Sequence, residues 1–162
     1  MRRILVVLAA AAVLVAAATA GATIVVQQGM AGLKLGDSWS HTQSHFGTKP
    51  DSNKVIKSEI LGKIRVARWG RVTISYDGTS GSSKIIAFDT TGTAQRTANG
   101  IGVGSTRSAV KAKLPRAICK TNDGGYNHCY IGKFGVPGAT VTDFSINSRG
   151  RVGRVTIGIV ED

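Results

Sequence analysis

The sequence predicts an α+β fold, a tandem repeat of a short helix plus antiparallel β-strands packing into one compact body. Three observations predict it. The phrase Gly32-Leu33-Lys34-Leu35-Gly36-Asp37-Ser38 returns in pattern as Gly100-Ile101-Gly102-Val103-Gly104-Ser105-Thr106, 68 residues further on. After each copy come a helix-like segment and then runs in which apolar and polar residues alternate, the period of half-buried strands. The strand runs keep a similar offset, Val72 answering to Val141 and Tyr76 to Ser145, as a duplication with small insertions gives. The expected organisation is a leader over residues 1–22, a first repeat over 23–92 and a second over 93–162.

Arg2 and Arg3 precede an uncharged run from Ile4 to Val26 rich in Ala, Val and Leu. Basic residues, an apolar stretch and then small residues form the pattern of a secretory signal peptide. Ala18-Thr19-Ala20 and Ala20-Gly21-Ala22 both suit cleavage. An uncleaved anchor is the alternative, since a span needs about 20 residues. The expected location is therefore secreted or cell-envelope. Removing Arg2 and Arg3 lowers the formal net charge from +12 to +10. An exported chain this basic is drawn to anionic surfaces.

Thr23 to Val26 reads as a first strand. Asp37 or Ser38 is placed to cap a helix carrying Trp39, Thr42 and Phe46, with Gly47 to close it. Pro50-Asp51-Ser52-Asn53 reads as a turn. Strand-like runs follow around residues 63–68, 71–76 and 84–89, with a flexible connection over 77–83. In the second half Ser105 is the cap candidate, Ala109, Val110, Lys113 and Leu114 give a helical face, and Pro115 stops it. Val141, Phe144 and Ile146 lead through the turn Asn147-Ser148-Arg149-Gly150 to a last strand at Val155, Ile157 and Ile159.

Between those segments lie the only two cysteines, Cys119 and Cys129. A three-residue loop at Asp123-Gly124-Gly125 would pair 122 with 126 and so 119 with 129. Facing residues of an antiparallel pair have Cβ atoms about 4.5–5.5 Å apart, close to what a disulfide needs. A hairpin-stapling, structural disulfide is expected, in keeping with an oxidising compartment.

Gly100, Ile101, Val103, Gly104, Thr106, Val110 and Leu114 spell out a Gly-φ-x-φ-Gly-x-Ser/Thr-x-x-x-Val-x-x-x-Leu motif. It resembles the repeat of beta-lactamase-inhibitory-protein-like domains and of SmpA/OmlA-like envelope lipoproteins, and more closely that of a group of small exported bacterial proteins. The resemblance implies short helices set against an antiparallel sheet. The first copy departs from it, with Thr42 where the motif has Val, and no cysteine lies near the leader for lipid attachment.

The residues offer little for catalysis. Asp37, His41 and His45 at i, i+4 and i+8 could share a metal on one helix face, but a cap claims the acid and no further ligand is evident, so no metal is expected. His128 beside Cys129 is no nucleophile pair if the thiol is in a disulfide. The glycines of the repeated phrase lack the spacing of a phosphate loop and suit tight turns. No cofactor and no enzymatic activity are expected. The expected function is a binding module for an anionic envelope polymer, a membrane surface or an acidic protein. Its surface would draw on Lys63, Arg65, Trp69, Arg71 and Arg154. The alternative is a secreted protein inhibitor of an enzyme.

Overall fold

Strict alternation over residues 63–76 and 141–159 gives each strand one apolar edge, and a sheet forms that needs a cover on one face only. The computed structural model describes residues 23–160; the expected signal peptide lies outside the described residues. In chain order come β1 (Ile24–Val25), β2 (Gly29–Met30), β3 (Leu33–Lys34), α1 (Trp39–Phe46), β4 (Ser52–Ser58), β5 (Gly62–Trp69), β6 (Val72–Tyr76) and β7 (Ile85–Thr90). Then follow α2 (Arg107–Lys113), β8 (Ile118–Asp123), β9 (Tyr126–Gly132), β10 (Thr140–Ile146) and β11 (Val152–Ile159). Eight strands make one antiparallel sheet in the order β4-β5-β6-β7-β11-β10-β9-β8, and β1-β2-β3 make a second, three-stranded one.

One face of the large sheet holds the core. Ala67, Ile74, Phe88, Val155, Ile157, Phe144 and Cys129 lie on it, all fully buried. Ile24, Met30 and Leu33 of the small sheet, Trp39 of α1, Val110 of α2 and the loop residues Ile101 and Val103 complete the same cluster. Ser38 caps α1, its Oγ accepting from the His41 N–H at 3.1 Å. Gly47 closes that helix at φ 63°, its N–H donating to the Gln43 carbonyl; a left-handed residue here suits glycine. The cap of α2 is Thr106, whose Oγ1 accepts from the Ala109 N–H at 3.1 Å. The neighbouring Ser105, the expected cap, instead uses its Oγ to accept from the Gly102 N–H at 3.2 Å.

The expected α+β tandem repeat is corrected. The fold is mostly β, 48% strand against 11% helix, and no tandem helix-plus-strand repeat is evident. The two copies of the glycine phrase follow a similar local path. Gly32 and Gly100 lie at φ 84° and 75°, Gly36 and Gly104 at 85° and 91°. Each copy passes through an isolated bridge, Ser38 to Lys84 and Thr106 to Arg151, into a capped helix. They differ in pairing, since Leu33–Lys34 is strand β3, paired to β2, while Gly102 bridges Arg96. The phrase specifies a turn and a helix entry. Strand β4 also takes up Ser52 and Asn53, which read as turn residues, and extends to Ser58.

The disulfide joins Cys119 to Cys129, as the spacing predicts. The two residues face each other in the β8–β9 register, with Cα atoms 3.9 Å apart. The turn is one residue shorter than expected. Asp123 pairs with Tyr126 around Gly124 and Gly125, at φ 59° and 94°. Positive φ at both central residues is what a two-residue type I′ hairpin turn requires. A bulge between Lys120 and Asp123, with Asn122 at φ 56°, absorbs the difference and leaves the cysteines opposite one another. Cys129 is fully buried and Cys119 packs against the core.

Candidate functional site

The other face of the large sheet has neither helix nor small sheet on it, and register places its side chains in rows. One row runs Arg68, Thr73, Asp89, Thr156, Asp143, Tyr130 across six strands. The next runs Arg154, Ser145, His128, Lys120. The middle of this open face is polar and half-buried.

Its centre holds two carboxylates. Asp89 Oδ2 accepts from Thr156 Oγ1 at 3.1 Å and lies 3.4 Å from Arg154 Nε. Burial raises the Asp89 pKa above the usual carboxylate value, against the pull of Arg154 and Thr156. A raised acid favours the folded state most while protonated; that advantage is present below the unfolded pKa and lost as pH rises through the folded one. Asp89→Asn is therefore expected to raise Tm relative to the parent at pH 7 and to lose that advantage near pH 3. Thermal unfolding followed at the two pH values checks it, and an Asn variant less stable at pH 7 than at pH 3, relative to the parent, contradicts it.

Asp143 anchors a second network. His128 Nδ1 donates to Asp143 Oδ1 at 2.7 Å, and Ser145 Oγ donates to Asp143 Oδ2 at 2.9 Å. His128 Nε2 lies 3.3 Å from Asp123 Oδ2, which Lys120 Nζ approaches to 2.9 Å. Hydrogen bonds from Lys120 first, then His128, hold Asp123 below the ordinary carboxylate value. The rings of Tyr126, Tyr130 and Phe134 stand 5.1 to 5.7 Å from the imidazole. With its side chain 1% exposed and both nitrogens engaged, His128 is a bridge between strands. The serine donates to the carboxylate and not to the imidazole, so the three residues do not form a nucleophile relay. Beside them Phe134, Val141, Asp143, Thr156 and Ile159 line an open groove of about 410 Å³.

The residues expected to share one binding surface fall in three places. Trp69 is 8% exposed, with Nε1 donating to the Thr48 carbonyl at 3.1 Å. It stacks on Phe46 at 4.7 Å, and with Arg71 and Gln95 the pair lines an open cleft of about 610 Å³. Arg65 and Lys63 lie on the same side of β5 as Trp69, by alternation, but toward the other end of the strand. The Arg65 guanidinium sits 4.0 Å over the Trp39 ring and Nη2 donates to the Thr79 carbonyl. Arg154 is on the opposite face, beside Asp89.

The sheet's densest group of cations is on one strand pair. Lys54 and Lys57 on β4 and Lys63, Arg65 and Arg68 on β5 divide between its two faces, Lys57, Lys63 and Arg65 on one and Lys54 and Arg68 on the other. Glu59 is the only carboxylate between residues 52 and 76. Among the described residues only two cations, Lys120 and Arg154, lie within ion-pair distance of a carboxylate.

The chain matches no protein-family model, no curated protein and no solved structure. The histidines of α1 do not converge: His45 Nε2 lies 2.9 Å from the Ala31 carbonyl, and His41 Nε2 is 3.9 Å from Asp37. No group of three or more His, Cys, Asp or Glu gathers at metal-binding distance among the described residues. No described helix is long and apolar enough to cross a membrane.

Sequence reasoning missed the Asp123–His128–Asp143–Ser145 network. A signal for part of it was present, because Asp143 and Ser145 alternate with Thr142, Phe144 and Ile146 and so share a face. Only the register of β9 against β10 shows that His128 joins them.

Proposed function

We propose that this is an exported, non-enzymatic binding module that docks on an anionic component of the cell envelope or on an acidic protein. The observation that carries the reading is the state of its cations. Nearly all described lysines and arginines lack a carboxylate partner, and five of them crowd onto the β4–β5 pair. Unpaired cations in such density repel one another and gain from an external anion. The disulfide accords with an oxidising compartment, and the +12 formal charge favours association with anionic surfaces.

Titration with a soluble polyphosphate tests it. Binding is expected at low salt and should weaken steeply as salt is added, because exposed charges are screened within about 8 Å at physiological ionic strength. A Lys54→Gln/Lys57→Gln/Lys63→Gln variant should bind more weakly than the parent. Absence of binding at low salt, or binding indifferent to salt, overturns the reading.

A second reading, a secreted protein inhibitor, is favoured by one observation. Tyr126 and Phe134 stand 56% and 43% exposed at the end of the open sheet face, and exposed aromatics suit protein partners. Inhibition of a beta-lactamase that is relieved by Phe134→Ala and untouched by the lysine variant would favour it over the first.

A further inference from the structure

The free end of the β4–β5 hairpin is built against the ordinary rules of sheet stability. β6 accompanies β5 only as far as the Arg65–Tyr76 pair. Beyond it the pairs Ile56–Ile64, Lys57–Lys63 and Ser58–Gly62 and the loop 59–61 have no third strand. Two strands alone are marginal in water. Lys57 and Lys63 nevertheless stand directly opposite each other, an arrangement of like charges that destabilises a pair. Ile56 is 47% exposed, Ile60 57% and Leu61 36%. The tip is held in shape, since Ser58 Oγ accepts from the N–H groups of Ile60 at 3.3 Å and Leu61 at 3.1 Å.

Lysine on an exposed edge strand guards against unwanted strand pairing. That accounts for Lys54 and Lys57 on β4. It accounts as well for Lys63, whose stretch of β5 has no third strand beside it, but not for the two lysines standing directly opposite each other, nor for two apolar residues at the loop apex. Local rules broken without a structural gain mark functional sites. Alternation separates the two kinds of side chain: Ile56 and Ile64 share one face of the hairpin, Lys57 and Lys63 the other. An apolar apex with lysines just behind it suits the boundary between lipid head groups and acyl chains. Lysine stems lie along apolar surface while their ammonium groups reach the phosphates.

We propose that the tip of the β4–β5 hairpin inserts Ile60 and Leu61 into an anionic phospholipid surface, with Lys57 and Lys63 on the lipid phosphates. This rests on the electrostatic reading above and names its partner. Charge complementarity decides for lipid phosphate over an uncharged apolar partner, which would gain nothing from the opposed lysines.

Co-sedimentation of the full chain with phosphatidylglycerol–phosphatidylcholine vesicles, pure phosphatidylcholine vesicles and soluble polyphosphate separates the two readings. Parent and variants carry the same N-terminal segment, so differences between them report the hairpin. The parent should bind the anionic vesicles more tightly than the zwitterionic ones. Lys57→Gln/Lys63→Gln should weaken vesicle binding by about fivefold per lysine. Ile60→Ser/Leu61→Ser should weaken vesicle binding while leaving polyphosphate binding unchanged. In an Ile60→Trp variant, emission excess over the parent should shift to the blue with anionic vesicles. Equal vesicle binding by the parent and the Ile60→Ser/Leu61→Ser variant overturns the insertion. So does binding to polyphosphate without binding to vesicles, and in that case the electrostatic reading survives. Binding to neither overturns both.

Discussion

Trp39→Ala is expected to lower the stability of the fold by about 3–5 kcal/mol, the range for truncating a buried aromatic. Trp39 is 7% exposed at the first turn of α1 and joins three other residues. Its ring lies 5.8 Å from Trp69 and 5.3 Å from Tyr76, edge-on to the latter. The Arg65 guanidinium covers it at 4.0 Å. Removing the indole opens a cavity between α1 and β5–β6 and strips the cation of its aromatic partner. It also loosens α1, a helix of eight residues, too short to be stable without its packing. For a chain of this size Tm should fall by roughly 2–4 °C for each kcal/mol lost. Trp39→Phe, which keeps a ring, should lose less. Chemical denaturation of both variants decides it; a loss below about 1 kcal/mol for alanine would mean that the ring is not part of the core.

The features legible in the sequence were those decided within a few residues. Ser38 and Gly47 bound α1 because capping is local chemistry, and Pro115 follows α2 for the same reason. The facing of Cys119 and Cys129 followed from counting outward from a glycine turn. The count misplaced the turn by one residue, and the bulge at Asn122 restored the register. Strand β4 was illegible because alternation appears only where one face is buried. Its five central residues, Asn53 to Lys57, are exposed whichever side they point to. The repeated glycine phrase was legible as local chemistry too, since Gly36 and Gly104 take φ 85° and 91° and Ser38 and Thr106 cap the helices that follow. Its pairing was not, because tertiary contacts set Leu33–Lys34 against β2 and Gly102 against Arg96.

The candidate surface shows the same division. Composition announced the excess of positive charge, but not where the charge would gather. Arg65 and Trp69 were expected on one binding surface. Arg65 is instead drawn to Trp39, and the Trp69 indole N–H to the Thr48 carbonyl, contacts that depend on α1 and its following loop docking on the sheet. Arg154 points to the far side, because it precedes the fully buried Val155 on β11 and adjacent strand residues face opposite ways. Lys63 stays exposed at the end of the hairpin that β6 does not reach.

The second large effect is expected at His128. Its alanine variant should lose about 3–5 kcal/mol, as when one partner of a buried polar pair is removed. The imidazole is held between carboxylates of two different strands, Asp123 on β8 and Asp143 on β10. Without it Asp143 keeps only the Ser145 hydroxyl as a donor, in a place where its side chain is 17% exposed. The rings of Tyr126, Tyr130 and Phe134 lose the group they surround. A His128→Ala/Asp143→Ala double mutant should then cost much less than the sum of the singles, since the second change removes the acid that the first left unpaired. The pH dependence carries a further sign. Asp123 is held low by Lys120 and His128, so its ionised form stabilises the fold above the unfolded pKa and that support is lost as pH falls through the lowered value. With His128 gone one of the two donors is gone, and the Tm gap between parent and variant should be wider at pH 6 than at pH 2.5. A gap that is the same at both pH values, together with additive single mutants, would reduce His128 to a packing residue and leave the open sheet face without its polar bridge.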